Sequence, residues 1–228
     1  MSKESLRHGD ITTNMYIDPG AQTREGYEIS KKSRMLARDA IGDANPEDRV
    51  RQRCSIAVGD FSMAELIRFT GDPVNATMKA LRQGAPIITD IRMVQIGIQK
   101  KGHTSEVLCA LDSGADIAKD RGITRSSAGF ISLREKLGGS IIVIGNAPSA
   151  LLSLCQMVRE GVHPAVIIGT PVGFVNAAES KDALRTIDVP SISTEGTRGG
   201  TPVAVAAINE CITMFIEGQR NERSGQRL

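Results

Sequence analysis

Tryptophan is absent from this 228-residue chain, and tyrosine and phenylalanine number only two and five. Proteins that hold single-stranded nucleic acid stack bases on aromatic rings, so that class is disfavoured. An excess of one charge is lacking too. The 28 Lys and Arg oppose 26 Asp and Glu, a net charge of +2, which offers no broad basic surface to a phosphate backbone. No run approaches the ~18 apolar residues of a membrane helix, and Met1 to Asp10 carries no apolar stretch of the signal-peptide kind. The three histidines, His8, His103 and His163, are dispersed, and no Gly-x-Ser-x-Gly turn occurs, so a Ser or Cys triad is not expected. Four cysteines (Cys54, Cys109, Cys155, Cys211) lie far apart in apolar segments, without metal-ligand spacing or disulfide density. They read as reduced core thiols of a cytoplasmic protein that needs no metal.

What the chain does have is a repeated junction. A β-branched strand at 141–144 runs into Gly145-Asn146-Ala147-Pro148, and a helix follows over 149–160. The pattern recurs as a strand at 165–168, a loop at 169–174 and a helix through Leu184, then as a strand at 191–193, a loop at 195–200 and a helix over 202–216. Earlier strands are expected at 86–89 and 107–111. Helices are expected at 27–41 (with Ile29, Met35, Leu36 and Ala40 apolar), 46–58, 61–69, 73 to about Gly84, and 124–137. Strands alternating with helices give an α/β fold, a three-layer α/β/α sandwich with a mainly parallel sheet and helices on both faces. Residues 1–26 read as a flexible N-terminal arm, 27–217 as a single domain and 218–228 as a polar, frayed tail.

In such a sheet ligands bind beyond the carboxyl ends of the strands. Free N–H groups in a helix's first turn favour an anion at the same place. Three Gly-rich loops on one edge therefore point to a carboxylate-binding cleft. The spacing fits neither a dinucleotide fingerprint nor a P-loop. Thr124-Arg125-Ser126 at a helix start reads either as an Arg fork with free N–H groups for a carboxylate or as a surface cap. Arg198-Gly199-Gly200 resembles an anion-binding turn. Glu179-Ser180-Lys181 reads either as a cluster lining the site or as an exposed helix face.

Several blocks together resemble the precorrin-8X methylmutase family. They are Gly84-Ala85-Pro86-Ile87 with Thr89-Asp90 and Met93-Val94, Thr124-Arg125-Ser126, and Gly145-Asn146-Ala147-Pro148-Ser149-Ala150-Leu151. Further on come Pro171-Val172-Gly173-Phe174-Val175 with Ala177-Ala178-Glu179-Ser180-Lys181, and Gly199-Gly200 with the Ala-rich helix to Asn209. The resemblance implies a homodimer that binds a corrinoid tetrapyrrole, precorrin-8X or its cobalt form, and moves a methyl group from C11 to C12 without a cofactor. It implies substrate contacts from Lys32, Ser33, Asp90, Thr124, Arg125, Ser126, Gly145, Asn146, Ala147, Pro148, Val172, Gly173, Phe174, Glu179, Lys181, Arg198, Gly199 and Gly200. The family pattern places a proton-donating His three residues before the Gly that precedes an Asp-Phe pair. Here that Gly is Gly59, and Ile56 stands at the His position. His8 on the arm or Asp90 at the sheet edge are the substitute acids the sequence offers. Lys32 replaces a family Arg before Ser33, and Arg34 replaces an apolar aromatic. Ile56 leaves a second reading open, a tetrapyrrole-binding relative without this activity.

Overall fold

The computed structural model describes residues 23–225. The first helix, α1 (Arg24–Ile41), opens where the Thr23 hydroxyl accepts from the Gly26 N–H at 3.1 Å, and Gly42 ends it. It therefore starts inside the segment expected to be an arm. The rest of that segment, His8 included, lies outside the described residues. Asn45 caps α2 (Pro46–Val58) by accepting from the Asp48 N–H at 2.9 Å, Pro46 fits a first-turn position that needs no N–H, and left-handed Gly59 closes it.

The remaining helices are α3 (Met63–Leu66), α4 (Pro73–Arg82), α5 (Arg92–Gly97), α6 (Ala115–Arg121), α7 (Arg125–Ser132), α8 (Arg134–Leu137), α9 (Pro148–Arg159), α10 (Ala177–Arg185) and α11 (Thr201–Gly225). The strands are β1 (Ile67–Thr70), β2 (Ile87–Thr89), β3 (Val107–Cys109), β4 (Ile141–Ile144), β5 (Val166–Gly169) and β6 (Ser191–Thr194). They form one six-stranded sheet in the order β1-β6-β5-β4-β2-β3, parallel except for β1, which pairs antiparallel with β6.

Alternate strand residues feed two apolar cores. Ile87, Ile141, Val143, Val166, Ile168 and Ile192 pack under α2, α4, α5 and α11, while Ile88, Ile142, Ile144 and Ile167 pack under α7, α9 and α10. The central strands are buried on both faces, and their unbroken Ile/Val runs follow from that. The three-layer expectation thus matches the structure.

Four local expectations need correction. The segment 61–69 is not one helix but the short α3 followed by β1, because pairing of Ile67–Thr70 with β6 outweighs a spacing that fits either period. The strand at 107–111 stops at Cys109, where a 3-10 turn over Ala110–Asp112 takes over. The helix expected over 124–137 breaks at Leu133 (φ −90°, ψ 10°) into α7 and α8, and Leu137 enters the core. The tail is not frayed at 218–225, since α11 runs on to Gly225.

The apolar residues that suggested α1 face outward. Ile29, Met35 and Leu36 are each more than half exposed, and the buried positions are Ala37 and Arg34. Arg34 reaches the fully buried Glu210 of α11, which also accepts from Arg49 of α2 at 2.9 Å. This chain thus docks α1 through a buried ionic cluster.

Candidate functional site at the carboxyl edge of the sheet

Strand order reverses between β2 and β4: the chain leaves β2 for β3 on one side, then returns to β4 on the other. The crevice beyond such a switch point is where open α/β sheets bind ligands. Here Asp90, just past β2, reaches across it. Its carboxylate accepts from the N–H groups of Gly145 (3.2 Å), Asn146 (2.8 Å) and Ala147 (2.9 Å), and its side chain is fully buried. Burial pushes the Asp90 pKa up, and the three amides pull against that rise.

Two expectations are corrected at once. The amides of the Gly145–Ala147 loop are occupied from within and do not await a substrate carboxylate. Asp90 points away from solvent into that loop, so its carboxyl is not exposed at the sheet edge. Asn146 remains exposed at the tip, and Pro148 opens α9. A Cβ on Gly145 would come within 2.9 Å of Val94 and 3.0 Å of the Thr201 Cα, so the glycine lets α5 and α11 close over the loop.

Thr124 joins a second helix start to this edge. Its hydroxyl lies 2.9 Å from the Ser149 hydroxyl of α9 and caps α7 through the Ser127 N–H at 3.3 Å. Arg125 is exposed and donates to the Leu111 carbonyl at 3.1 Å, while Ser126 is buried. Ser149 is a partner that the sequence reading missed. Its signal was the position itself, the second residue of a helix opening at the sheet edge.

The loops after β5 and β6 are stitched together. Gly173 donates to the Thr197 carbonyl at 3.1 Å and Gly200 to the Thr170 carbonyl at 2.7 Å. A Cβ on Gly199 would collide with the Thr170 carbonyl oxygen. Arg198 pairs with Asp60 and donates to the Ser62 hydroxyl at 3.1 Å. This ties the β6 loop to the end of α2, since the Asp60 N–H bonds the Ser55 carbonyl and the Gly59 N–H bonds that of Ile56. Asp60 was not singled out from sequence. The Ser62 and Arg198 contacts hold its carboxyl below the usual range, so it stays ionised and is no proton donor at neutral pH.

Lys181 is neither on an exposed face nor open to a ligand. It is fully buried, with Nζ 3.0 Å from Thr194 Oγ1 and 2.8 Å from the Arg198 carbonyl oxygen. Glu179, in the first turn of α10, is exposed. Val172, Phe174 and Val175 stand out from the β5 loop, Phe174 being 95 % exposed, and Asn176 behind them takes a left-handed φ of 59°. Lys32 and Ser33 sit on α1, on the flank formed with α2 rather than within the stitched loops.

The edge thus unites Asp90, 145–149, Thr124–Ser126, 170–176 and 195–200, with Ile56 at the neighbouring helix end. Burial pushes the thiol pKa values of Cys54, Cys155 and Cys211 up, the last two to about 11 and about 12, so these cysteines stay protonated and inert. Among the described residues, no group of three or more His, Cys, Asp or Glu is arranged to hold a metal ion, and no helix is long and apolar enough to cross a membrane.

The precorrin-8X methylmutase family model matches residues 28–214. The chain belongs to that family. It is 38% identical over 205 residues to a cobalt-precorrin-8 methylmutase of Methanocaldococcus jannaschii, covering 85% of this chain and 96% of the relative. It is 37% identical over 196 residues to a precorrin-8X methylmutase of Sinorhizobium sp, covering 82% and 93%. A crystal structure of the precorrin-8X methylmutase from Thermus thermophilus superposes with a TM-score of 0.77 at 35% identity, over 84% of this chain and 97% of that one. The stitched loops described above all lie within the residues that the methylmutase family model matches.

Proposed function

We propose that this chain is an isomerase of cobalamin biosynthesis that moves a methyl group between C11 and C12 of a corrinoid macrocycle. One observation carries the reading: the family's sequence blocks, far apart along the chain, converge on one sheet edge. The chemistry asks little of a nucleophile. An intramolecular methyl shift needs a substrate held in one conformation and a proton on the ring, and rigid loops supply the first. The carboxylate arms of a corrinoid suit Arg125, Lys32 and the helix start at Thr124. Its flat apolar faces suit Val172, Phe174 and Val175.

The protein acts as a cytoplasmic homodimer. Met93 and Ile96 of α5 are each more than 60 % exposed, and a second copy packed there removes them from water. The expected mass by light scattering is about twice the 24.4 kDa chain.

Ile56 favours the second reading, a corrinoid-binding relative without turnover, because isoleucine cannot move a proton. A visible spectrum of the protein mixed with precorrin-8X, followed over time, separates the two. A chromophore that converts supports the isomerase, and one that binds unchanged supports the silent relative. Ile56→His sharpens the result, with an expected rate gain of about 10²–10⁴-fold, the usual worth of a positioned acid.

A further inference from the structure

Lys181 is a buried ammonium whose two hydrogen-bond acceptors, Thr194 Oγ1 and the Arg198 carbonyl, are neutral. Such a charge in a packed interior is costly, and an apolar residue of similar length usually serves stability as well or better. Both acceptors belong to one turn. Thr194 ends β6, its hydroxyl also bonds the Arg198 carbonyl at 2.6 Å, and Arg198 precedes the Gly199-Gly200 pair that opens α11. From the same helix Arg185 donates to Ser193 Oγ (3.1 Å) and the Thr194 carbonyl (3.3 Å). The hydrophobic anchoring of α10 comes from Ala177 and Leu184 and does not need the ammonium.

We propose that Lys181 is a positioning residue, whose ammonium fixes the Thr194–Gly200 turn in the shape that presents Arg198 to the substrate. The assignment of substrate rests on the proposed isomerase reading; the role of Lys181 in the turn does not. The charged groups that reach the ammonium are Arg185 and Asp182 of α10. Those of the turn, Glu195 and Arg198, are exposed and answered by Arg68 and Asp60. Burial, then the nearby Arg185, lowers the Lys181 pKa to about 8, consistent with a charge kept against a desolvation cost.

The test compares wild type with Lys181→Met by amide hydrogen exchange, with no substrate present. The Gly200 and Gly173 amides, which bond across this turn, are expected to exchange about tenfold faster in the variant while its melting temperature holds or rises. Exchange within twofold of wild type overturns the proposal, whatever the substrate is. Lys181→Gln keeps a donor and is expected to restore part of the protection. If Lys181→Met does not fold, Thr194→Val removes one acceptor and is expected to loosen the same amides; unchanged protection there overturns the proposal. With precorrin-8X turnover in hand, Lys181→Met is expected to raise KM more than it lowers kcat, and an unchanged KM overturns the substrate-presenting half. Absence of turnover in the wild type counts against the isomerase reading and leaves the exchange result to decide the role of Lys181.

Discussion

The loops after β4 and β6 look alike in sequence, each a Gly-containing turn between a buried strand and a helix, yet they are held by opposite charges. The Gly145–Ala147 loop turns its N–H groups inward onto the Asp90 carboxylate. The 195–200 loop turns a carbonyl inward onto the Lys181 ammonium. A glycine-rich turn at a sheet edge can therefore direct either end of its peptide dipoles toward a ligand, and the buried partner decides which. The first loop has spent its donors on its own fold. The second has its carbonyl fixed, and its Arg198 side chain is left at the surface beside Asp60. An inventory of donors and acceptors, not the glycine count, separates an anion hole from a scaffold.

The comparison breaks most sharply at Asp90. Asp90→Ala strips three inward amides of their acceptor and is expected to destabilise the fold by about 4 kcal/mol, measured by urea unfolding. A loss below about 1 kcal/mol means the loop finds other partners and the carboxylate is not its anchor. Gly199→Ala comes next, at about 3 kcal/mol, because its Cβ has no room beside the Thr170 carbonyl; Gly138, with a φ of −59° and nothing within 4 Å of its Cβ, is the control.

Lys181 sharpens the contrast through pH. Its folded pKa of about 8 lies below the ordinary 10.5, so the unfolded chain holds the proton more tightly. Stability from this group is present above pH 10.5 and lost as pH falls through about 8. Wild type should thus gain stability relative to Lys181→Met between pH 8 and pH 10.5, by on the order of 3 kcal/mol, and parallel curves would show that the ammonium is not strained by burial. Asp90 has the opposite sense: its raised pKa contributes stability at low pH that fades as the carboxyl ionises. Least affected is Arg198→Ala, which removes a half-exposed ion pair and should change stability by less than about 1 kcal/mol while weakening macrocycle binding. A spectroscopic titration checks the second half of that statement.

Much of this was legible in the chain. The Ile/Val runs at 141–144 and 166–168 marked strands, and Pro46 with the acids after it marked the start of α2. Several of the blocks that carry the family resemblance fall at the carboxyl edge of the sheet. The misreadings have a common cause, in that local pattern carries no record of a distant partner. The 61–69 segment becomes an edge strand because β6 lies beside it, and α1 turns Ile29, Met35 and Leu36 outward while Arg34 finds Glu210, 176 residues away. The Asp60–Arg198 and Ser149–Thr124 pairings went unread because the two partners of each come from different loops.

Sequence alone determined the alternation of strands and helices, the edge at which their loops gather and the isoleucine at position 56. Those features are set by residue type and short-range spacing, to which periodicity and chain reversal respond directly. Only the tertiary structure decided which way each loop's peptides face, because a buried carboxylate or ammonium chooses its partners across space, where the need to satisfy every buried donor and acceptor is met.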